Sequence, residues 1–135
     1  MAFEVHQRVL FRHCDPAGIV FYPRYFEMIN DALESFFDQA IGAPWDQMHQ
    51  NAGVPTAEIS ARFTAPSRQG DELTMRLEVN RVGRSSMDYT MGASAAGELR
   101  FEAKGTMVFV NHAGKSTPWP DKMRAKLQEQ KELAA

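Results

Sequence analysis

The sequence predicts an α+β fold in which an antiparallel sheet wraps around one long helix. Apolar residues recur at spacings of three and four from Tyr25 to Ala40, as one face of a helix requires. Four short segments beyond residue 55 alternate apolar and polar residues, the period of a one-sided strand. Clusters rich in Gly, Pro, Ser and Asp separate those segments. A sheet with one apolar face must cover it, and a single long helix can do so only if the sheet curves around it.

The elements follow in order. FEVHQRVLF (3–11) puts Phe3, Val5, Val9 and Phe11 on one face, with Gln7 the exception, and predicts a first strand. Residues 12–20 hold Asp-Pro and Gly and predict a loop. Pro23 suits a first helical residue, whose N–H has no intrahelical partner. The helix it opens carries Tyr25, Ile29, Ala32, Leu33, Phe36, Phe37 and Ala40 on its apolar face, and Gly42 and Pro44 end it. PWDQMHQN (44–51) predicts a short helical turn. The four later strands are expected over 56–64 (Ala57, Ile59, Ala61, Phe63 inward), 72–80 (Leu73, Met75, Leu77, Val79), 86–93 (Met87, Tyr89, Met91) and 98–110 (Leu99, Phe101, Ala103, Met107, Phe109). The turns lie at 65–71, 81–85 and 95–98. After Pro118 and Pro120, residues 121–135 predict a surface helix with a thin apolar stripe, frayed at its end. Five strands with one main helix leave open edges, and pairing of edges into a dimer with a continuous sheet is a natural solution.

Length and composition bound the function. The chain has 135 residues, enough for one domain over 1–135 and too few for two. Hydrophobic residues make up 44% and charged residues 24%, ordinary globular usage. A net charge of −2 gives no basic footprint for nucleic acid. No apolar run reaches a membrane span, and the alternating N-terminus does not read as a signal peptide. Cys14 is the single cysteine, so no internal disulfide forms, which fits a reducing cytoplasm. The eight methionines suit an adaptable apolar interior.

Signatures of many activities are missing: GxSxG, GxxxxGK, GxGxxG, CxxC and HExxH. His6, His13, His49 and His112 show no metal-ligand spacing. His49 and His112 fall in expected loops, His6 on the polar side of a strand, and His13 two residues before Asp15. Ser85 and Ser86 lie at a turn with no base partner in sequence. What remains is Asp15 and the helix behind it. A helix N-terminus carries partial positive charge and unpaired N–H groups, which stabilise an oxyanion as well as an ordinary anion. The loop between Asp15 and Tyr22 is long enough to fold the carboxylate back toward that terminus. A carboxylate there suits attack on an activated acyl group, as nucleophile or as base for water. Asp-Pro is also an ordinary turn signal, and on spacing alone the turn reading stands ahead of the catalytic one.

The segment CDPAGIVFYPRYF, from Cys14 to Phe26, resembles the active-site segment of the 4-hydroxybenzoyl-CoA thioesterase family, within the hotdog-fold acyl-CoA thioesterases. The family's pattern is Asp, two residues, Gly, a short apolar run, then Tyr-Pro-x-Tyr, here Asp15, Gly18, Tyr22, Pro23 and Tyr25. RFTAPSRQGDEL is similar to the family's strand, turn and Gly-Asp segment, and TPWPDKMRAKL to its C-terminal Pro-x-Pro and short helix. The resemblance implies a hotdog fold, in agreement with the pattern above. It implies Asp15 as the catalytic carboxylate, the Tyr22 backbone N–H as the group that polarises the thioester carbonyl, and Gly18 as the loop glycine that lets the backbone approach the substrate. Arg84 and Ser85 fall where the family places a basic residue and a serine near the coenzyme A phosphates. Arg81 nearby matches no motif.

Tyr22-Pro23 leans toward the aryl-CoA branch, since the branch associated with the Tol-Pal system tends to carry His in place of this tyrosine. At Asn30 the 4-hydroxybenzoyl enzyme has an aspartate suited to a phenol; asparagine still hydrogen-bonds a hydroxyl, without charge. Phe21, Tyr25 and Phe26 either pack an aryl ring or fill the core, and Tyr25 is placed with Asn30, Arg84 and Ser85 among the substrate-binding residues. The expected activity is hydrolysis of an aroyl- or short acyl-CoA to free acid and coenzyme A. Coenzyme A belongs to the substrate, and no metal or redox cofactor is needed. The expected partners are the acyl-CoA and further copies of the chain, as a dimer or a tetramer of dimers, without nucleic acid or membrane. The competing readings are a hotdog hydratase or dehydratase, which wants a His–Asp or His–Glu pair, and a non-catalytic acyl-CoA-binding module.

Overall fold

A computed structural model of the chain describes residues 2–134; Met1 and Ala135, the ends of the expected domain and of the last expected helix, lie outside the described residues. The strands are β1 (Phe3–Arg8), β2 (Ala52–Gly53), β3 (Thr56–Phe63), β4 (Glu72–Val82), β5 (Ser86–Ala95), β6 (Glu98–Val108) and β7 (Val110–Asn111). The helices are α1 (Pro23–Phe36), α2 (Trp45–Met48) and α3 (Asp121–Ala134). Five strands form one antiparallel sheet in the order β1-β4-β5-β6-β3, and β2 pairs with β7 in a small second sheet.

The alternation in β4 and β5 is realised as read. Leu73, Met75, Leu77 and Val79 face inward, as do Met87, Tyr89 and Met91, all at most 2% exposed. They close on Tyr25, Ile29, Ala32, Leu33 and Phe36 of α1 in one apolar cluster. Each such side chain contributes about 1.5–3 kcal/mol when withdrawn from water. Gly105 of β6 sits directly opposite Tyr89, and a Cβ there would run into the Tyr89 ring, so only glycine fits beneath it. Past Phe36, α1 widens into a turn of π-helix over Phe37–Ile41 and stops at Gly42, whose φ of 74° is left-handed. The helix therefore runs as far as its apolar stripe predicts. The expected helical turn over 44–51 appears as the shorter α2.

Four expectations are corrected. The first strand stops at Arg8 rather than residue 11. Val9 instead bonds the turn at 70–71: its N–H donates to Asp71 O and its carbonyl accepts from the Gly70 N–H, both at 2.8 Å. A 3₁₀ turn over Phe11–His13 follows, which leaves Phe11 79% exposed. Second, β3 is an edge strand whose apolar residues are only partly covered within the chain: Ile59 and Phe63 are 37% and 43% exposed, and only Ala61 is half-buried. Third, Leu99 does not face the core. Ala93 lies opposite Phe101 but Ser94 opposite Leu99, so Arg100 is the extra residue of a β-bulge; Leu99 turns outward and Arg100 turns in. Fourth, α3 is no loose surface helix. It packs along β4 and buries Met123 and Leu127. The apolar stripe is thin, but its members point into the core.

Candidate active site

The segment after β1 is built as a small closed loop. Cys14 and Val20 form an isolated antiparallel bridge, and the residues between them turn back on themselves. The Asp15 N–H donates to Ile19 O and the Gly18 N–H donates to Asp15 O, each at 2.9 Å. Asp15 Oδ1 accepts the Ala17 N–H at 2.9 Å, an Asx turn. Gly18 closes the loop at a φ of 82°, in the left-handed region that glycine enters without steric penalty. The loop is also held from outside. Val20 N–H donates to Ser67 O at 2.9 Å, Phe21 N–H donates to His13 O at 2.9 Å, and Ile19 bridges Arg68. Asp15 is thus half-buried with one carboxylate oxygen committed to its own turn, while Oδ2 meets no donor among the described residues.

The start of α1 leaves one donor over. Arg24 N–H bonds Phe21 O at 2.8 Å and Tyr25 N–H bonds Tyr22 O at 3.0 Å, and Pro23 has no N–H. The Tyr22 N–H has no acceptor among the described residues, and Tyr22 itself is 57% exposed. Proline at the first helical position therefore concentrates the unpaired donor character of the helix end on a single amide, at the positive end of the macrodipole. A cleft of about 300 Å³ opens beside it, lined by Ile19, Val20, Tyr22, Tyr25, Phe63, Thr64, Ala65 and Pro66. Its walls are largely apolar. Tyr25 forms part of its base, only 3% exposed, with its ring stacked on Phe63 at 5.5 Å and tilted against Phe101 at 4.8 Å.

The other expected site residues lie elsewhere. Asn30 is exposed and lines a second cleft, of about 500 Å³, with Arg12, His13, Phe26, Glu27, Met28 and Asp31. Arg84 and Ser85 sit in the turn from β4 to β5, at the end of β4 remote from the Asp15 loop. The eleven residues of β4 span roughly 35 Å of strand, so these two do not meet Asp15 within one chain. Their carbonyls are engaged: Ser85 O accepts the Phe109 N–H at 2.7 Å, and Arg84 O accepts Trp119 N–H and the Arg124 guanidinium.

His13 is structural. It is 2% exposed, and its Nδ1 accepts the Leu10 N–H at 2.8 Å, so a neutral ring with its proton on Nε2 caps the 3₁₀ turn. Burial foremost, and then the Arg12 guanidinium, hold its imidazole below the ordinary range. Among the described residues no three His, Cys, Asp or Glu side chains gather as a metal site, and no helix is long and apolar enough to cross a membrane.

Sequence reasoning missed the residues that hold the loop from behind. Ser67 is fully buried, Arg100 nearly so, and Asp71 accepts from both the Arg100 guanidinium (2.7 Å) and the Arg68 N–H (2.9 Å). Those two bonds, the Arg68 amide first, hold the Asp71 carboxyl below its usual value. The Gly-Asp pair at 70–71 was a usable signal for this turn. Nothing in the pattern around Leu99-Arg100-Phe101 betrays that the arginine turns inward.

Comparison with known proteins agrees with this architecture. The family model of the thioesterase-like superfamily matches residues 9–127. A 4-hydroxybenzoyl-CoA thioesterase from Pseudomonas sp. (strain CBS-3) is 31% identical over 88 residues, which are 63% of this chain and 62% of that protein. A 1,4-dihydroxy-2-naphthoyl-CoA hydrolase from Thermosynechococcus vestitus is 25% identical over 136 residues, covering 98% of this chain and 92% of the relative. Among solved structures, a gentisyl-coenzyme A thioesterase superposes with a TM-score of 0.85 at 25% identity, over 93% of this chain and 99% of that one. With the antiparallel sheet curved on its long helix and a match running from Val9 to Leu127, the chain belongs to the thioesterase-like superfamily of hotdog-fold proteins.

Proposed function

We propose that this chain is an acyl-CoA thioesterase that hydrolyses an aroyl- or short acyl-CoA to the free acid and coenzyme A. The observation that carries the reading is the unpaired Tyr22 N–H at the head of α1, beside a loop that presents Asp15 with one carboxylate oxygen uncommitted. The thioester carbonyl oxygen would accept the Tyr22 N–H, which strengthens as negative charge develops there. Asp15 would then add to the carbonyl carbon, or take a proton from a water that adds to it. The C–S bond breaks and coenzyme A leaves as thiolate. In the nucleophilic route, water then hydrolyses the acyl-aspartate anhydride. Gly18 shapes the loop, and no metal or redox cofactor enters the reaction.

An aryl group suits the apolar cleft beside Tyr22, with Tyr25 and Phe63 as ring neighbours. The three relatives are all named for thioesters of hydroxylated aromatic acids, which supports an aroyl substrate. Asn30 would hydrogen-bond a substituent, and Arg84 with Ser85 would meet the coenzyme A phosphates. Since they lie remote from Asp15 along β4, in this reading a second copy of the chain would supply them, and the unpaired β3 edge would join the copies. The hydratase reading wants a free His–Asp pair, whereas His13 is buried and already bonded to Leu10.

Thiol release from a panel of aroyl- and alkanoyl-CoA thioesters tests the proposal. Turnover of at least one aroyl-CoA is expected, and a panel with no member above background refutes it. Incorporation of labelled oxygen from water into the Asp15 side chain during single turnover separates the nucleophilic from the general-base route.

A further inference from the structure

Arg100 is a charged side chain drawn into the interior by a bulge, and its polar contacts divide between the segment before β4 and the turn from β5 to β6. Its guanidinium donates to Asp71 Oδ2 at 2.7 Å, Pro66 O at 3.2 Å and Ser67 Oγ at 3.3 Å, all from Nη1, and from Nη2 to Ala95 O at 3.3 Å. Nε lies 3.0 Å from Glu98 Oε1, an ion pair without hydrogen-bond geometry. The Arg100 carbonyl accepts from the Thr64 and Ala65 amides at 2.9 and 3.2 Å. Side chain and backbone together therefore clamp the stretch 64–71, with Asp71 tied back to it through the Arg68 N–H.

That stretch is what the Asp15 loop rests on. Ser67 O receives the Val20 N–H, Arg68 bridges Ile19, and Ile19 O in turn receives the Asp15 N–H. Thr64, Ala65 and Pro66 also form one wall of the cleft beside Tyr22. We propose that Arg100 is the positioning residue of the site: by clamping residues 64–71 from behind, it fixes where the Asp15 loop sits relative to the Tyr22 amide. It touches no reacting atom. Its effect passes through Ser67–Val20 and Arg68–Ile19, and its link to turnover rests on the thioesterase reading above.

A bidentate-capable guanidinium serves four acceptors at once, which an ammonium cannot do. The test compares Arg100→Met, Arg100→Lys and the double variant Arg100→Met with Asp71→Asn, the last removing the half-buried Asp71 charge and leaving only the exposed Glu98 carboxylate, should the single variant fail to fold. Two readouts are taken: amide hydrogen exchange along the whole chain, and kcat and KM for thiol release from 4-hydroxybenzoyl-CoA and benzoyl-CoA. Exchange at the Asp15, Gly18 and Val20 amides should rise about tenfold or more in Arg100→Met and in the double variant, while amides in the centre of β5 keep their protection. On whichever thioester is turned over, kcat should fall about tenfold or more with KM nearly unchanged, as misplacement of a catalytic group produces. Arg100→Lys should fall between wild type and Arg100→Met in both. Unchanged exchange at Asp15 and Val20, or a rise spread evenly over the sheet, overturns the proposal. If wild type hydrolyses neither, the kinetics are taken on the panel thioester it does turn over; if it turns over none, the activity reading fails on its own and the exchange pattern still decides the role of Arg100.

Discussion

Replacing Gly18 with alanine should destabilise the fold by about 1–2 kcal/mol, the cost of holding an L-residue in the left-handed region. The φ of 82° sets this cost. Crowding by the rest of the fold does not, because beyond its two chain neighbours a Cβ on Gly18 would meet nothing nearer than Arg68 Nη1 at 3.9 Å, an ordinary contact. For a chain of 135 residues the loss corresponds to a Tm lower by roughly 3–8 °C. Gly18→Asn separates backbone from space. Asparagine is the larger residue, yet its short polar side chain makes left-handed backbone more accessible, so it should lose less stability than alanine. Urea titration of the three proteins gives the ordering directly. A Gly18→Asn protein less stable than Gly18→Ala would refute the argument, since loss would then follow side-chain size. Both variants remain folded at 25 °C against a typical total of about 5–15 kcal/mol. Any fall in kcat beyond the change in stability then reports movement of the Asp15 loop, and about tenfold is expected for alanine.

Two further predictions concern groups outside the chemistry. The Tyr89 hydroxyl is buried without a hydrogen-bond partner among the described residues, and burial pushes its phenol up to about 12. Tyr89→Phe should therefore leave stability unchanged or raise it by up to about 1–3 kcal/mol, and it should remove a loss of stability that wild type shows from pH 10 toward 12, where only the unfolded phenol ionises. A clear destabilisation in thermal melts at pH 7 would contradict this. His13 is held neutral below its ordinary value of 6.5. Between that lowered value and 6.5 the unfolded chain binds the extra proton, so the contribution of His13 is intact above pH 6.5 and is lost as pH falls below it. Urea midpoints from pH 7.5 to 5 should decline, and His13→Gln should flatten the decline; since His6, His49 and His112 are exposed, an unflattened curve would point to another group.

How much of this was legible beforehand follows from how local each signal is. The β4 and β5 faces and the α1 stripe could be read because every inward residue is apolar and every spacing regular. The Asp15 loop was visible as Asp-Pro and Gly18, and its chemistry only through the ordered run from Asp15 to Tyr25. The bulge that turns Arg100 in and Leu99 out left no trace, because it depends on the register with β5. The exposure of β3 was equally hidden: its alternation is real, but which face gets covered is decided by what lies beside it, and an edge strand has a neighbour on one side only. The early end of β1 required knowing that Val9 would find the Gly70–Asp71 turn, a contact across some sixty residues of chain. Placement of Asn30 and Arg84 away from the Asp15 loop was likewise a matter of tertiary geometry.

The central claim is that the Asp15 carboxylate, and not merely the loop that carries it, drives thioester hydrolysis. Asp15→Asn keeps an oxygen to accept the Ala17 N–H, so the loop closure survives while the negative charge is removed. Steady-state thiol release from the aroyl-CoA that wild type turns over fastest should show kcat lower by about 10²–10⁴-fold, with KM within a few-fold of wild type. Full activity in Asp15→Asn, with the loop amides still protected from exchange, would contradict the account.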